Sequence, residues 1–315
     1  MRVLVTGGAG FIGSHVVDAL LDAGHEVAVL DDLSTGRREN VPASVPLFEV
    51  DLRDASSTRR VIREFRPDVV SHQAAQASVA VSVRDPRLDA EVNVIGGINL
   101  LDACTESGAR VSRVVFASTG GAIYGEVPEG ARASEDTPTR PASPYAIHKL
   151  AFEQLLAAYR SYRDLPFTIL RYANVYGPRQ DPHGEAGVVA IFFAAALAGG
   201  ELRVNARREV GDAGCVRDYV FVSDVARANV LALTGQIGDP VLNVATGRDT
   251  TTEALARTIS KLAGRGARIT AGPPRPGDLE RSVLDPARAE RYLGTPTSLE
   301  EGLERTYAFY AAKST

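Results

Sequence analysis

A short β-branched run, Arg2-Val-Leu-Val-Thr6, breaks at Gly7-Gly8 and gives way at once to a helical pattern. Apolar residues then recur at Ile12, Val16, Ala19 and Leu20, and Gly24 supplies a stop. A second apolar run, Val27-Ala-Val-Leu30, ends at Asp31-Asp32. No feature of the chain constrains the fold more than this strand–glycine turn–helix–strand unit. A continuous apolar strand must be buried on both faces, and a helix between two such strands makes them parallel.

The alternation continues. The pattern predicts a strand at 47–50, a helix at 55–65, a strand at 68–71, one long helix over 86–107, a strand at 114–117, a helix at 144–163 and a strand at 167–170. The implied class is α/β: a Rossmann-type, doubly wound parallel sheet. Past residue 171 the elements become irregular. The stretch 174–216 is rich in Gly, Pro and Arg around one apolar helix, and 219–244 reads as a strand, a helix and a strand able to rejoin the sheet. The tail carries a helix near 252–263, a Pro-rich turn at 273–276 and a last helix near 298–312. The expected division is a nucleotide-binding domain over 1–173, with 218–244 returning to it, and a smaller C-terminal α/β substrate lobe from 174–217 and 245–315.

Composition excludes several classes. Of 315 residues, 44% are apolar and 23% charged, so the chain can bury a core and disorder is not expected. A net charge of −4 advertises neither nucleic acid nor an anionic membrane as a partner. The longest apolar run, Val188 to Ala198, falls short of the about 20 residues a membrane span needs. Two cysteines, Cys104 and Cys215, are too few for a disulfide scaffold and fit a reducing compartment, so a cytoplasmic location is expected. His72, His148 and His183 lack ligand spacing, and no metal site is expected.

Two constellations carry chemistry. In Gly7-Gly-Ala-Gly10-Phe-Ile-Gly13 the backbone must turn tightly, approach a pyrophosphate and let helix pack on strand. Asp31, ending the next strand, is placed to bind ribose hydroxyls and to repel a 2′-phosphate, which selects NAD over NADP. Farther on, Tyr145-Ala-Ile-His-Lys149 puts a phenol and an ammonium one turn apart on one helix face. An adjacent cation favours the phenolate and makes such a tyrosine a usable base. The chain has only three lysines, Lys149, Lys261 and Lys313, among 35 basic residues, so a lysine retained in a motif is informative.

Taken together, these motifs resemble the extended short-chain dehydrogenase/reductase superfamily, and within it the nucleotide-sugar epimerases, most of all the bacterial UDP-glucose 4-epimerases. The resemblance spans nearly the whole chain. Thr6-Gly-Gly-Ala-Gly-Phe-Ile-Gly-Ser-His15 matches the opening, which implies Gly7, Gly10, Phe11, Ile12 and Gly13 at the NAD pyrophosphate. Asp31-Asp-Leu-Ser-Thr-Gly36 resembles the ribose turn and implies Asp31, Asp32, Ser34, Thr35 and Gly36 there; Asp51 and Leu52 resemble the adenine contact. His72-Gln-Ala-Ala-Gln76 implies Gln73, Ala74, Ala75 and Gln76 along NAD, with Asn93 at the helix asparagine. Tyr145 and Lys149 match the catalytic pair. In Arg171-Tyr-Ala-Asn-Val-Tyr-Gly-Pro178, Tyr172 is expected at the nicotinamide and Asn174 at the diphosphate. Val216-Arg-Asp-Tyr-Val220 and Arg275-Pro-Gly-Asp278 resemble a uridine-diphosphate clamp through Arg217, Arg275 and Asp278. Paired guanidinium donors suit a diphosphate on chemical grounds as well. Val189 and Ser282 complete the implied substrate contacts.

One departure is informative. The family's Ser or Thr four residues before the Tyr-Gly that follows the fifth strand is here Gly120, before Tyr124. Thr119, with Ser118 behind it, is the nearest replacement for the hydroxyl that meets the reacting 4-hydroxyl, and Ser118 is also expected near the cofactor. Gly120, Gly121 and Ala122 supply no acid of the kind the superfamily's dehydratases use for elimination. The resemblance therefore implies interconversion of UDP-glucose and UDP-galactose, with the N-acetylated UDP-sugars as further substrates, through a transient 4-keto sugar and tightly held NAD. The alternatives are another NAD-dependent nucleotide-sugar epimerase or reductase, or an inactive NAD-sensing regulator. A homodimer is expected, paired through the helices at 86–107 and 144–163, with Leu100, Leu101, Leu155 and Leu156 on their outward faces.

Overall fold

The structure, a computed structural model, describes all residues except 107, 110, 184–186, 265, 276 and 314–315, and not the side chain of 313. The chain divides into two compact units. The first comprises Met1–Thr119, Pro141–Arg171 and Val225–Leu242; the second comprises Gly120–Arg140, Tyr172–Asp224 and Asn243–Thr315. Residues 120–140, 172–173, 218–224 and 243–244 thus group with the second unit, whereas the sequence pattern places them in the nucleotide-binding domain.

A seven-stranded sheet organises the first unit. Its strands are β1 (Arg2–Thr6), β2 (Glu26–Asp31), β3 (Leu47–Glu49), β4 (Val69–His72), β5 (Arg113–Thr119), β6 (Phe167–Tyr172) and, numbered by its place in the chain, β11 (Val241–Val244). They lie in the order β11-β6-β5-β4-β1-β2-β3. β1 runs parallel to β2 on one side and to β4 on the other. The strand order reverses at β1, and a doubly wound sheet opens a crevice at the carboxyl ends of the strands at that point.

The helices are α1 (Phe11–Asp22), α2 (Ala55–Phe65), α3 (Val79–Arg84), α4 (Pro86–Ala90), α5 (Gly96–Thr105) and α7 (Pro144–Arg163), with α6 (Gly120–Ile123) in the second unit. Their ends follow local chemistry. Asp54 caps α2 by accepting from the backbone of Ser56 and Ser57, and Ser143 caps α7 ahead of Pro144. The single helix expected over 86–107 is instead α4, a π-helical turn at Glu91–Ile95 and α5. The wider turn accompanies a tie made by Asn93, whose amide exchanges hydrogen bonds with the Gln76 backbone at 2.9 and 3.1 Å.

Leu100, Leu101 and Leu156 are fully buried in the chain's own core, and Leu155 packs against it. They do not form the outward apolar face expected of them, because the sheet and neighbouring helices cover them. A β-carbon at Gly97 would lie 2.2 Å from the Phe152 ring, so glycine there is what lets α5 approach α7.

The second unit is built from small sheets. β7 (Asn174–Tyr176) pairs in parallel with β10 (Tyr219–Phe221); β8 (Glu201–Asn205) pairs with β13 (Arg268–Gly272); β9 (Val216–Arg217) lies between β12 (Thr250–Thr251) and β14 (Arg281–Ser282). α8 (Val188–Leu197), α10 (Thr252–Leu262), α11 (Ala287–Leu293) and α12 (Leu299–Lys313) complete it, and α9 (Val222–Leu233) carries the chain back toward β11. Of the two strands expected to rejoin the main sheet after residue 218, only β11 does so; β10 is taken by β7. Asp218 is the hub of this unit. Its buried carboxylate accepts from the Thr246 hydroxyl and from the backbone of Thr246, Gly247 and Leu284.

Candidate active site

At the switch point lies a cleft of about 300 Å³. Its lining includes Gly7, Gly10, Phe11, Ile12 and Gly13 from the first turn, and Asp31, Asp32, Ser34, Thr35 and Gly36 after β2. Asp51, Leu52, Gln73, Ala74 and Ala75 line it too, with Val92 from the π-helical turn. The turn is glycine by necessity. Gly7 has φ +68°, and a β-carbon on it would lie 2.5 Å from the Ala74 nitrogen; one on Gly13 would lie 2.0 Å from the Gly7 carbonyl oxygen. Gly36 keeps clear the space beside Asp31, whose Oδ1 is 2.7 Å from where a β-carbon would stand. A chain folded so closely against its own backbone, at the amino end of α1 and beside a strand-end carboxylate, fits a dinucleotide.

Asp31 is fixed on both oxygens, accepting from the Ala9 and Leu33 backbone N–H groups at 2.9 Å each, and burial pushes its carboxyl pKa up. Asp32 is exposed and folds its own loop by accepting from the Ser34 backbone and hydroxyl. Asp51 is tied to Arg53, which holds its pKa down. Three residues expected at the cofactor have side chains engaged within the protein. Gln73 donates to Ser71 and Asn229; Gln76 bonds Ser78 and Asp89; Asn93, buried, bonds the Gln76 backbone. Gln73 lines the cleft, and Gln76 and Asn93 tie the segment after β4 to the π-helical turn.

The pair on α7 lies on the same unit. Lys149 is buried, its Nζ 4.4 Å from the centre of the Phe116 ring, and burial pushes its pKa down to about 7. The anions Asp89 and Glu153 act in the opposite direction. Tyr145 keeps part of its ring exposed, while burial pushes its phenol up to about 12; a hydrogen bond from Thr119 works against that rise. His72, beneath them, bonds Thr6 Oγ1 at 2.7 Å and is driven by burial to about 3, so it is neutral. A buried lysine one helical turn from a tyrosine, with its pKa pushed down toward neutrality, is an arrangement able to exchange protons.

Ser118 and Thr119 part company here. Ser118 is buried and donates to Glu153 Oε1 at 2.5 Å, and Glu153 in turn accepts from Arg171 at 2.6 and 3.0 Å. Adjacent residues of a strand face opposite ways, so the hydroxyl beside Tyr145 is that of Thr119. The Ser118 hydroxyl, expected behind Thr119 at the reacting hydroxyl, is engaged by Glu153. Glu153 and Asp89 escaped the sequence reading, although Glu153 stands one turn beyond Lys149, a spacing that signals a shared face.

In the second unit Arg217 ends β9, opposite Ser282 of β14. Ser282 is buried, with Oγ donating to the Gly121 carbonyl at 3.1 Å. Arg281 turns away, bound through Nε and Nη2 to Asp249 at 2.8 Å each and through Nη1 to the Pro128 and Ala131 carbonyls. Arg275 and Asp278 are exposed across a turn in which Gly277 has φ +85°; Pro276 lies outside the described residues. The Asn205 carboxamide, its oxygen facing Arg275, accepts from Nε and Nη2 at 2.6 and 3.0 Å. Asn174 has a buried Oδ1 with no hydrogen-bond partner among the described residues, the mark of a group awaiting a ligand or water. Tyr172 and Val189 are both buried, at the end of β6 and in the first turn of α8.

Comparison with known proteins agrees with this geometry. The sequence model of the NAD dependent epimerase/dehydratase family matches residues 3–245. A UDP-glucose 4-epimerase of Mycolicibacterium smegmatis is 47% identical over the full length of both chains. The crystal structure of the Thermus thermophilus UDP-glucose 4-epimerase in complex with NAD is similar at TM-score 0.93 and 56% identity, covering 99% of each chain. That of the Thermotoga maritima UDP-glucose 4-epimerase with UDP-glucose is similar at TM-score 0.93 and 46% identity over all of both chains.

Proposed function

The chain belongs to the NAD dependent epimerase/dehydratase family, and from that premise we propose that it is an NAD-dependent UDP-sugar 4-epimerase interconverting UDP-glucose and UDP-galactose. The observation that carries the reading is the pair of half-buried Tyr145 and buried Lys149 beside Thr119, on the unit that holds the glycine-lined cleft. NAD bound in that cleft supplies the group that accepts hydride from the sugar's C4 and returns it. Tyr145 takes the 4-hydroxyl proton and gives it back; Lys149, kept charged by Asp89 and Glu153, stabilises the phenolate; Thr119 orients the phenol. Arg217, Arg275 and Asn174 hold the diphosphate, which leaves the sugar free to present its other face. Incubation with a panel of UDP-sugars, read by NMR at C4, tests the proposal. Interconversion without net consumption of NADH supports it, and stoichiometric consumption of NADH or NADPH identifies a reductase instead.

The active form is a homodimer paired across α3, the π-helical turn and α7. Val79, Val83, Ile95 and Ile147 on these elements are apolar and exposed, at 41–64% of their free surface; the core leucines discussed above have no part in it. The protein works in the cytoplasm: its two cysteines are free thiols, and no helix among the described residues is long and apolar enough to cross a membrane.

Asp31 makes cofactor choice testable. A buried carboxylate beside the ribose opposes a 2′-phosphate, so NADP binds weaker than NAD by roughly a hundredfold or more. Titration of the apoprotein with each cofactor measures this, and equal affinities would remove Asp31 from the ribose.

Ser282 sets the room around the sugar. Its side chain is small and Arg281 is anchored elsewhere, so no neighbour on β14 fills the space a bulky residue would occupy. UDP-glucose and UDP-N-acetylglucosamine are both epimerised, with specificity constants within roughly a thousandfold. Ser282→Tyr selectively lowers the constant for the acetylated sugar. A larger preference for the plain sugar, unchanged in Ser282→Tyr, means that the pocket is closed by another group.

A further inference from the structure

Asp89 is wholly buried in α4, yet no arginine or lysine binds either of its oxygens among the hydrogen bonds of the described residues. Oδ1 accepts from the Gln76 amide, and Oδ2 lies 2.6 Å from His148 Nδ1. Gln76 is itself immobilised: Asn93 bonds its backbone at N–H and carbonyl, and its amide bonds Ser78 in both directions. A carboxylate only accepts, so Nδ1 of His148 must carry the proton that faces it. His148 lies on α7 between Tyr145 and Lys149, with its side chain directed to α4. Burying a carboxylate costs several kcal/mol that its hydrogen bonds must offset, and the groups its charge acts on are the two members of the pair, Tyr145 and Lys149.

We infer that Asp89 and His148 are positioning residues of the epimerase: His148 and Gln76 fix the Asp89 carboxylate where its charge keeps the buried Lys149 ammonium ionised beside Tyr145. The inference rests on Tyr145 and Lys149 being the acid–base pair. The other ionisable groups around them are accounted for. Glu153 also acts on Lys149 but is bound by Arg171, and His72 is neutral against Thr6. Glu91, on the π-helical turn, is paired with Arg87. That leaves Asp89 as the anion near Lys149 that no arginine or lysine binds among the described residues, held in place by Gln76 and His148.

Asp89→Asn keeps the shape and removes the charge. Every proton on the Tyr145–Lys149 couple is then held less tightly, so both limbs of the kcat–pH profile move to lower pH by roughly one unit, with KM for the UDP-sugar and NAD content unchanged. His148→Phe strips the donor that holds the Asp89 carboxylate in place and displaces both limbs in the same direction. His148→Gln restores a hydrogen-bond donor to Asp89 and with it the wild-type profile. The double variant Asp89→Asn with His148→Phe moves no farther than either single one. Profiles of Asp89→Asn and His148→Phe that coincide with that of the wild type overturn the inference, and if Asp89→Asn does not fold, His148→Phe with its glutamine rescue decides alone. Tyr145→Phe measured alongside keeps the two readings apart: if it stays active, the acid–base assignment fails; if it is inactive while the limbs do not move, only the role of Asp89 and His148 fails.

Discussion

Tyr145→Phe lowers turnover of UDP-glucose by roughly 10²–10⁴-fold, the range a positioned acid–base contributes, while the protein still binds NAD. The substitution removes one oxygen and keeps the ring, so packing on α7 survives. What is lost is the phenol that Thr119 engages and that shares a helix face with Lys149. The cofactor cleft is lined by other elements, the turn after β1, the loop after β2 and the segment after β4, and none of them depends on that oxygen. The two measurements are C4 conversion by NMR and NAD content after gel filtration. Turnover within tenfold of wild type at full NAD occupancy would show that another group removes the proton. Loss of turnover together with loss of NAD would instead make Tyr145 a structural residue.

Much of this site is written in local chemistry, and that part can be read from the chain directly. Gly13 is a glycine because of contacts a few residues away, and Gly36 because of Asp31 and Ala9, contacts that a strand–turn–helix–strand pattern announces; Gly7 meets Gln73 and Ala74 after β4. The i and i+4 spacing of Tyr145 and Lys149 is likewise a property of one helix. Ser118 and Thr119 are different. Both carry a hydroxyl at the end of one strand, and only the facing of β5 decides which one meets Tyr145 and which meets Glu153. The π-helical turn at Glu91–Ile95 is equally silent in the sequence, since its tie runs from Asn93 to the backbone of Gln76, in another segment. The leucines of α5 and α7 misled for a related reason. Their spacing shows an apolar face, but not that the sheet and α2 already cover it. Asp89 and His148 stand 59 positions apart, and no periodicity joins them. Contacts of this kind appear only once the sheet has set which segments meet.

Gly13→Ala and Gly10→Ala separate what the turn contributes to folding from what it contributes to binding. At Gly13 a β-carbon would stand 2.0 Å from the Gly7 carbonyl oxygen and 2.9 Å from the Gly8 Cα, both backbone atoms that no rotamer change can move. The helix must shift off β1, and overpacking of this kind costs about 1–3 kcal/mol or more. Gly13→Ala therefore lowers Tm by several degrees and weakens NAD binding together with it. At Gly10 the nearest atom to a new β-carbon is the Gly7 carbonyl oxygen, at 3.2 Å, which a small adjustment relieves. Gly10 is also the N-cap of α1, the point where backbone must come closest to a pyrophosphate. There a methyl group displaces the ligand rather than the protein. Losing one charge-assisted hydrogen bond at about 1.5–3 kcal/mol weakens NAD binding roughly ten- to a hundredfold, with little change in the Tm of the apoprotein. Thermal melts of the apoproteins and NAD titrations of both variants check this. The reverse ranking, with Gly10→Ala the less stable apoprotein and Gly13→Ala the tighter binder, would mean that the dinucleotide does not approach the chain at Gly10.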